Sequence, residues 1–213
     1  MYAKSTMTKT QTVPVRAKRV ARRSPETARK EILDAAAFFL QRRPFRDLTI
    51  GELMDHTKVR RPTFYTYFND VYDLVEALMD EVREEVVGYV SNWRSGSLDR
   101  GDALTAVLTE TVNLWVRKGP MLAAVIDAAA GHPRLEKALI GVMSVYESTI
   151  ADILRAEAKA GRVRQLDFDE TAVAMVRGTQ AYLRARLGSG ERSDPLKVLN
   201  TLQDIWVNAL YAR

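Results

Sequence analysis

From Ser24 to the end of the chain, apolar residues recur three and four positions apart. This spacing places them on one face of an α-helix, whereas a half-buried strand would alternate apolar and polar residues. No strand-like alternation interrupts the pattern, and glycine, proline or polar residues separate the helical segments. The sequence therefore predicts an all-α fold of about nine helices.

Three short helices are predicted in the first part of this pattern. Ser24 can cap helix 1, Pro25 suits its first position, and Pro44 prevents it from continuing. Thr49 and Glu52 form a capping box at the start of helix 2. Helix 3 lies in "RRPTFYTYF" and is joined to helix 2 by a tight link. Three short helices with this connection match a helix-turn-helix unit.

Six further helices are predicted after this unit. Helix 4 covers "DVYDLVEALMDEVREEVVGYVSNW" and ends near "RSGS". Helix 5 is expected to stop at Gly119 and Pro120, because proline cannot continue a helix, and a shorter helix 6 then reaches Gly131. A long helix 7 ends before Gly161, and helices 8 and 9 lie on either side of the loop "GSGERSDP".

The net charge of +5 is concentrated at the N-terminus. Basic residues precede the first acidic residue, Glu26, so the arm carries about +7 and the rest of the chain about −2. We predict that residues 1–23 form a disordered basic arm, which would bind DNA phosphates without reading sequence. A tail that serves only solubility explains the same charge. The basic residues of the arm are Lys4, Lys9, Arg16, Lys18, Arg19, Arg22 and Arg23.

The composition argues against several classes of protein. The chain of 213 residues has no cysteine, which excludes disulfides and thiolate metal sites, and its two histidines are far apart. It has no glycine-rich phosphate loop, and its carboxylates are scattered over helix faces. We therefore predict a non-enzymatic protein without a metal or cofactor. No apolar segment resembles a signal peptide or a membrane span, so we expect a cytoplasmic protein that does not contact membranes.

Helix 3 combines aromatic rings with a pair of arginines. Phe64 and Phe68 lie four positions apart on one face, so we predict that both rings anchor the helix in the core. In a helix-turn-helix unit this helix lies in the major groove of double-stranded DNA. The hydroxyls of Tyr65 and Tyr67 can bond to phosphate oxygens there.

The segment "RKEILDAAAFFLQRRPFRDLTIGELMDHTKVRRPTFYTYFNDVYDLVEAL" resembles the DNA-binding domain of the tetracycline-repressor (TetR) family of transcriptional regulators. The resemblance rests on the Ile-Leu-x-Ala-Ala pattern of helix 1, the threonine that starts helix 2 and the Thr-Phe-Tyr-x-Tyr-Phe pattern of helix 3. The "RPTFYTYF" segment and the C-terminal "LNTLQDIWVNALY" are most similar to the ethionamide-resistance repressor branch.

This resemblance implies a domain organisation and a set of DNA contacts. Residues 24–69 would form the helix-turn-helix DNA-binding domain, and residues 70–213 a helical regulatory domain for ligand binding and dimerisation. Thr49 and Tyr65 are implied to contact the DNA backbone. Those implied at or near base edges are Arg60, Arg61, Pro62, Thr63, Thr66 and Tyr67.

Three positions depart from the family pattern. Lys58 and Arg60 stand where the family usually has a glycine and a capping serine or threonine, so a cap is lost and charge is gained. Val71 stands where a phosphate-binding lysine is common early in helix 4. Arg60 and the basic arm are candidates to compensate for the missing lysine. Outside a helix-turn-helix unit, the arginine pair would be read as a solvated helix start.

The regulatory domain is implied to hold a small-molecule pocket. An apolar, aromatic pocket favours a lipophilic effector over a sugar or nucleotide. An asparagine of the ethionamide-repressor branch corresponds to Gly178, and Thr179 or Gln180 is a candidate to replace it. Each pocket candidate is also explained as an ordinary core residue. The candidates are Trp115, Met143, Tyr146, Met175, Thr179, Gln180 and Trp206.

Helices 8 and 9 are implied to form a homodimer, and the apolar spacing of helix 9 permits such packing. A two-fold dimer would bind a roughly palindromic operator. The resemblance implies that the protein most often acts as a repressor, which the effector releases from the operator. The operator-bound fraction would be associated with the nucleoid. The alternative is a helical ligand-binding or adaptor protein that does not bind specific DNA. The sequence does not identify the effector, the operator or the direction of regulation.

Overall fold

The computed structural model describes residues 25–94, 100–189 and 193–211, without side-chain detail for 92–94 and 100–102. This part of the chain is all-α, as predicted, and contains eight α-helices with a short 3-10 turn at Phe45–Asp47. The helices are α1 (Pro25–Leu40), α2 (Ile50–Asp55), α3 (Arg61–Tyr67), α4 (Val71–Arg94), α5 (Arg100–Gly131), α6 (Pro133–Lys159), α7 (Phe168–Leu187) and α8 (Pro195–Tyr211). The basic arm and the predicted Ser24 cap lie outside the described residues.

The short helices begin where capping chemistry predicts. α1 begins at Pro25 but ends at Leu40, ahead of Pro44. The Thr49 hydroxyl accepts the backbone N–H of Glu52 at 3.2 Å and caps α2. The Glu52 carboxylate accepts from Arg43 Nη1 at 2.6 Å, so within the described residues only one half of the predicted capping box is formed.

α5 corrects the prediction that separate helices meet at Gly119 and Pro120. It is one continuous helix from Arg100 to Gly131 with Pro120 inside it. An internal proline removes one backbone hydrogen bond, but the buried residues on both sides of it keep the helix intact, since α5 packs against α1, α4, α6, α7 and α8. Predicted helices 7, 8 and 9 therefore correspond to α6, α7 and α8.

A close helix crossing explains the glycine in the middle of α5. A Cβ atom on Gly119 would lie 2.2 Å from the carbonyl oxygen of Leu187, at the end of α7. Only a residue without a side chain permits this approach of the two backbones. The glycine therefore serves the packing of α5 on α7 and does not end the helix.

Two apolar clusters form the core. The first contains most of the buried residues of α1 and those of α2 and α3, together with buried residues of α4, α5 and α6 such as Leu74, Met121 and Leu135. The second contains the N-terminal part of α5, the C-terminal part of α6, and residues of α7 and α8. α4, α5 and α6 each contribute to both clusters. The core of the helix-turn-helix unit thus extends across the predicted boundary at residue 70 into the helices that follow it.

Candidate DNA-binding surface and ligand cavity

Two phenylalanine rings hold α3 on the core. Phe64 and Phe68 are 0% and 3% exposed, and their ring centroids lie 5.5 Å apart. Both rings belong to the first apolar cluster, where α1, α2 and α4 contribute the neighbouring side chains. This fixes the rotation of α3 about its axis, and therefore which of its other side chains face outward.

The remaining side chains of α3 form a polar surface. Tyr65 is 52% exposed, although its ring still touches Phe64 edge-on. Thr63 and Tyr67 are half-buried, and Tyr67 packs partly against the first cluster. The candidate DNA-contacting residues that are exposed are Thr49, Arg60, Arg61, Pro62, Tyr65 and Thr66.

The turn between α2 and α3 is held by bonds that the sequence pattern did not reveal. Arg60 is the N-cap of α3 and makes no side-chain capping bond within the described residues. The backbone N–H of Lys58 donates to Glu31 Oε1 of α1 at 2.6 Å. The Thr57 hydroxyl donates to the carbonyl oxygen of Met54 at 3.0 Å and accepts from the backbone N–H of Val59. These contacts order the turn without a capping residue at position 60.

The junction between α3 and α4 is acidic and is bound by one arginine. Asp70 Oδ1 accepts the backbone N–H of Asp73 at 2.8 Å and caps α4. Arg134, in the first turn of α6, pairs with Asp70 at 3.0 Å, with Asp73, and with Glu76 at 2.8 Å. This network ties the start of α4 to the start of α6, and no sequence motif pointed to it.

A cavity of about 150 Å³ lies where the two apolar clusters meet. Five helices line it, from Leu78 on α4 to Trp206 on α8. Of the pocket candidates, Met175 does not line the cavity and packs against the second cluster instead. The candidates that line it are Trp115, Met143, Tyr146, Thr179, Gln180 and Trp206.

Sequence reasoning missed the contribution of α4 to this cavity. Leu78, Val82, Val86 and Val90 line one wall at helical spacing. The sequence of α4 does show an apolar stripe at this spacing. However, a stripe that faces a cavity and a stripe that faces solid core have the same sequence pattern.

Few polar atoms face the cavity. Trp206 Nε1 donates to the buried Thr179 hydroxyl at 3.0 Å, and Gln180 Nε2 donates to Met143 Sδ at 3.2 Å. The Tyr146 hydroxyl is buried and has no hydrogen-bond partner within the described residues. Burial raises the pKa of Tyr146 far above its ordinary value, so its hydroxyl stays protonated and neutral at physiological pH.

Membrane-spanning helices and metal sites are both absent from the described residues. Among them, no helix combines the length and apolar character needed to cross a lipid bilayer. No group of three or more histidine, aspartate or glutamate side chains in this part of the chain is arranged to hold a metal ion.

A short α3 with one buried face and one polar, exposed face, beside an all-α bundle with an internal cavity, is the arrangement of a helix-turn-helix protein. Residues 32–78 match the family model of the bacterial regulatory proteins of the tetR family. Together with the relatives below, this match supports a TetR-family regulator, with the match itself confined to the helix-turn-helix unit and the start of α4. The chain is a DNA-binding transcriptional regulator and not an enzyme.

The relatives resemble the chain over nearly its full length. The HTH-type transcriptional regulator EthR of Mycolicibacterium smegmatis is 25% identical over 209 residues, which cover 96% of this chain and 95% of that protein. EthR of Mycobacterium tuberculosis is 25% identical over 212 residues, with 92% and 93% covered. The fold also resembles that of the fatty acid degradation regulator FadR from Bacillus halodurans, with a TM-score of 0.74, 17% identity, and 90% and 100% of the two chains covered.

Proposed function

We propose that the protein is a ligand-responsive repressor, which binds a roughly palindromic operator as a homodimer and is released by a small lipophilic effector. The observation that carries this proposal is the path of α4. It starts at Val71, four residues after the end of α3, and lines the cavity from Leu78 to Val90. A molecule in the cavity therefore touches the helix that carries the DNA-reading unit.

The regulation follows from differential binding. An effector changes DNA affinity only if it binds the DNA-competent and DNA-incompetent arrangements unequally. The cavity lies between the apolar cluster under α3 and the cluster of α7 and α8. An effector that separates these clusters would tilt α4, and in a dimer this tilt would change the spacing of the two α3 helices.

The DNA-binding part of the proposal assigns base-edge contacts to Arg60, Arg61, Pro62, Thr63, Thr66 and Tyr67, and backbone contacts to Thr49 and Tyr65. Support comes from the exposure of Arg61 and Tyr65 beside the buried Phe64. An arginine is well suited to bind guanine through two hydrogen bonds.

A gel-shift experiment on DNA upstream of the protein's own gene and its neighbours tests this assignment. We expect specific, salt-sensitive binding by the wild type and a loss of roughly 1–3 kcal/mol in Arg61→Ala, because a base contact is removed. Lys137→Ala is the matched control, since Lys137 is an exposed cation on α6. A wild type that binds every DNA equally weakly would favour the alternative of a helical adaptor protein.

The cavity defines the chemistry of the proposed effector. Its volume of about 150 Å³ suits a molecule built around one ring or a short chain. Its lining contains no lysine, arginine, aspartate or glutamate, which disfavours a charged ligand. The protonated Tyr146 hydroxyl can donate to one acceptor, such as a carbonyl oxygen.

Benzylacetone and butylbenzene test this effector chemistry, because they share a ring and chain length and differ in one carbonyl group. Calorimetry should show tighter binding of benzylacetone to the wild type, by roughly three- to tenfold, and equal binding of both probes to Tyr146→Phe. Tyr146→Phe should also melt at a higher temperature without ligand, since it removes a buried hydroxyl that lacks a partner. If neither probe binds the wild type, a lipophilic effector of this size is excluded.

The dimer surface is proposed on α7 and α8, the predicted helices 8 and 9. α7 exposes only small side chains along one stripe, which would let a second helix approach closely. α8 exposes Leu196, Ile205 and Val207 at 67%, 54% and 41%. The exposed small residues of α7 are Ala174, Gly178, Ala181 and Ala185.

Glycine substitutions test this surface without disturbing the single chain. A Cβ at Gly178 or at Gly141 of α6 would meet nothing within 4 Å, and both changes to glutamate improve helix propensity. We expect Gly178→Glu to be a folded monomer by light scattering and Gly141→Glu to remain a dimer. A dimeric Gly178→Glu protein would place the interface elsewhere.

A further inference from the structure

The cations of the helix-turn-helix unit differ in whether a carboxylate neutralises them. Lys30 pairs with Asp34 at 3.0 Å, and Arg43 pairs with Glu52 at 2.6 Å. Arg46 lies 3.8 Å from an oxygen of Asp47. Each of these three side chains lies beside a carboxylate, whose negative charge offsets part of its attraction for a polyanion.

Arg29, Arg60 and Arg61 are exposed and form no ion pair within residues 25–94, 100–189 and 193–211. Arg42 is also without an acidic partner in this part of the chain, but it lies over Phe38 and donates to the carbonyl oxygen of that residue. Arg42 lies in the turn just after α1, thirteen positions from Arg29. At the rise of an α-helix this separation is roughly 20 Å along the chain.

Arg29 reaches α3 from a different helix. Its guanidinium carbon lies 5.5 Å from the ring centroid of Phe68, the C-cap residue directly after α3. Arg60 and Arg61 stand at the other end of α3. The proposed DNA-reading helix of seven residues is therefore flanked at both ends by guanidinium groups that have no acidic partner in the part of the chain that the structure describes.

α4 offers no cation of its own at this end of α3. Its first turn begins with Val71 and Tyr72, and the nearby charges are the carboxylates of Asp70, Asp73 and Glu76. Arg134 is engaged by these three carboxylates. Arg29 is thus the arginine at the α3–α4 junction that has no acidic partner in the described chain.

We propose that Arg29 contacts the DNA phosphate backbone at the C-terminal end of α3, opposite Arg60 and Arg61 at its start. This assignment rests on the proposed DNA-binding function. The ring of Phe68 limits the directions that the guanidinium can take, which lowers the entropy lost when it binds a phosphate. The contact is sequence-independent and positions α3 in the groove.

The salt dependence of binding to a random-sequence DNA duplex tests the proposal, because no operator needs to be known. A plot of log affinity against log salt concentration has a negative slope, and its magnitude decreases by about 0.9 for each phosphate contact that is lost. We expect Arg29→Gln to lose close to this amount and to weaken binding of every duplex by a similar factor. Arg29→Lys, which keeps the charge, should restore most of the slope.

Lys30→Gln is the matched control, since Lys30 is the neighbouring cation and is paired with Asp34; its slope should equal that of the wild type. Melting temperatures establish that each variant is folded. An unchanged slope in folded Arg29→Gln overturns the role of Arg29 and leaves the proposed function intact. A wild type without salt-dependent DNA binding overturns the proposed function itself.

Discussion

α3 and the cavity, the two regions on which the proposed function rests, are built in opposite ways. α3 is seven residues long, and two buried rings four positions apart, Phe64 and Phe68, set which of its other side chains face outward. The cavity is lined by 25 residues from five helices, spread from Leu78 to Trp206. Local helical geometry determines the first region, whereas only the packing of distant segments creates the second.

This difference separates the two regions energetically as well. On α3, the anchoring ring of Phe64 and the exposed side chains are different residues, so stability and the proposed DNA contacts are separated. At the cavity, the same side chains form the core and the proposed ligand site, so one substitution affects both. Three substitutions probe how far this separation holds.

The largest effect is expected for Phe64→Ala, since Phe64 is fully buried. Removing a buried phenylalanine ring costs roughly 3–5 kcal/mol of unfolding free energy. Tyr65→Ala, at the next position, should cost under about 1 kcal/mol because its ring is largely exposed. Urea denaturation measures both. A Tyr65→Ala variant as unstable as Phe64→Ala would break the separation of roles on α3.

An intermediate effect is expected for Gly119→Ala. The added methyl group would lie 2.2 Å from the Leu187 carbonyl oxygen, and such overpacking costs roughly 1–3 kcal/mol. Gly141→Ala is the control, since its methyl group enters open space and should stabilise the helix by up to about 1 kcal/mol. Thermal unfolding distinguishes the two. Equal stabilisation by both changes would mean that α5 and α7 separate freely.

The smallest effect is expected for Arg134→Met, which breaks the link between α4 and α6. Its three partners are partly exposed, so the loss of stability should be about 1 kcal/mol or less. DNA affinity should fall by roughly the same free energy, because the freed carboxylates repel phosphates, and salt should reduce this difference.

Arg155→Met serves as the control for Arg134→Met. Arg155 pairs with Asp152 and Asp169 on the surface of α6 and α7, and these residues lie far along the chain from α3. The control should lose a similar small amount of stability and no DNA affinity. Equal DNA affinity of the wild type, Arg134→Met and Arg155→Met would show that the Arg134 network is only structural.

Much of the helix-turn-helix unit was predictable because its signals are local. Thr49 caps α2, Pro25 begins α1, and Phe64 and Phe68 face inward, as the residue types and spacing predicted. The Arg60 position also has no capping bond within the described chain. What the sequence missed there is the bond from Glu31 to the backbone of Lys58, because it joins residues 27 positions apart.

The helical bundle formed by α4 to α8 was less predictable because its features depend on tertiary contacts. Gly119 and Pro120 read as a helix end, but the close approach of Leu187 and burial on both sides keep α5 continuous. Met175 and Met143 are both apolar residues on long helices, yet only Met143 lines the cavity.

The sequence by itself determined the all-α class, the helix-turn-helix unit and the inward face of α3, because helical spacing and caps act over a few residues. The tertiary structure decided that α4, α5 and α6 join two apolar clusters, that a cavity lies between them, and that Arg29 of α1 stands at the end of α3. These features depend on the distances between segments that are far apart in the chain. Such distances cannot be read from residue types and local spacing.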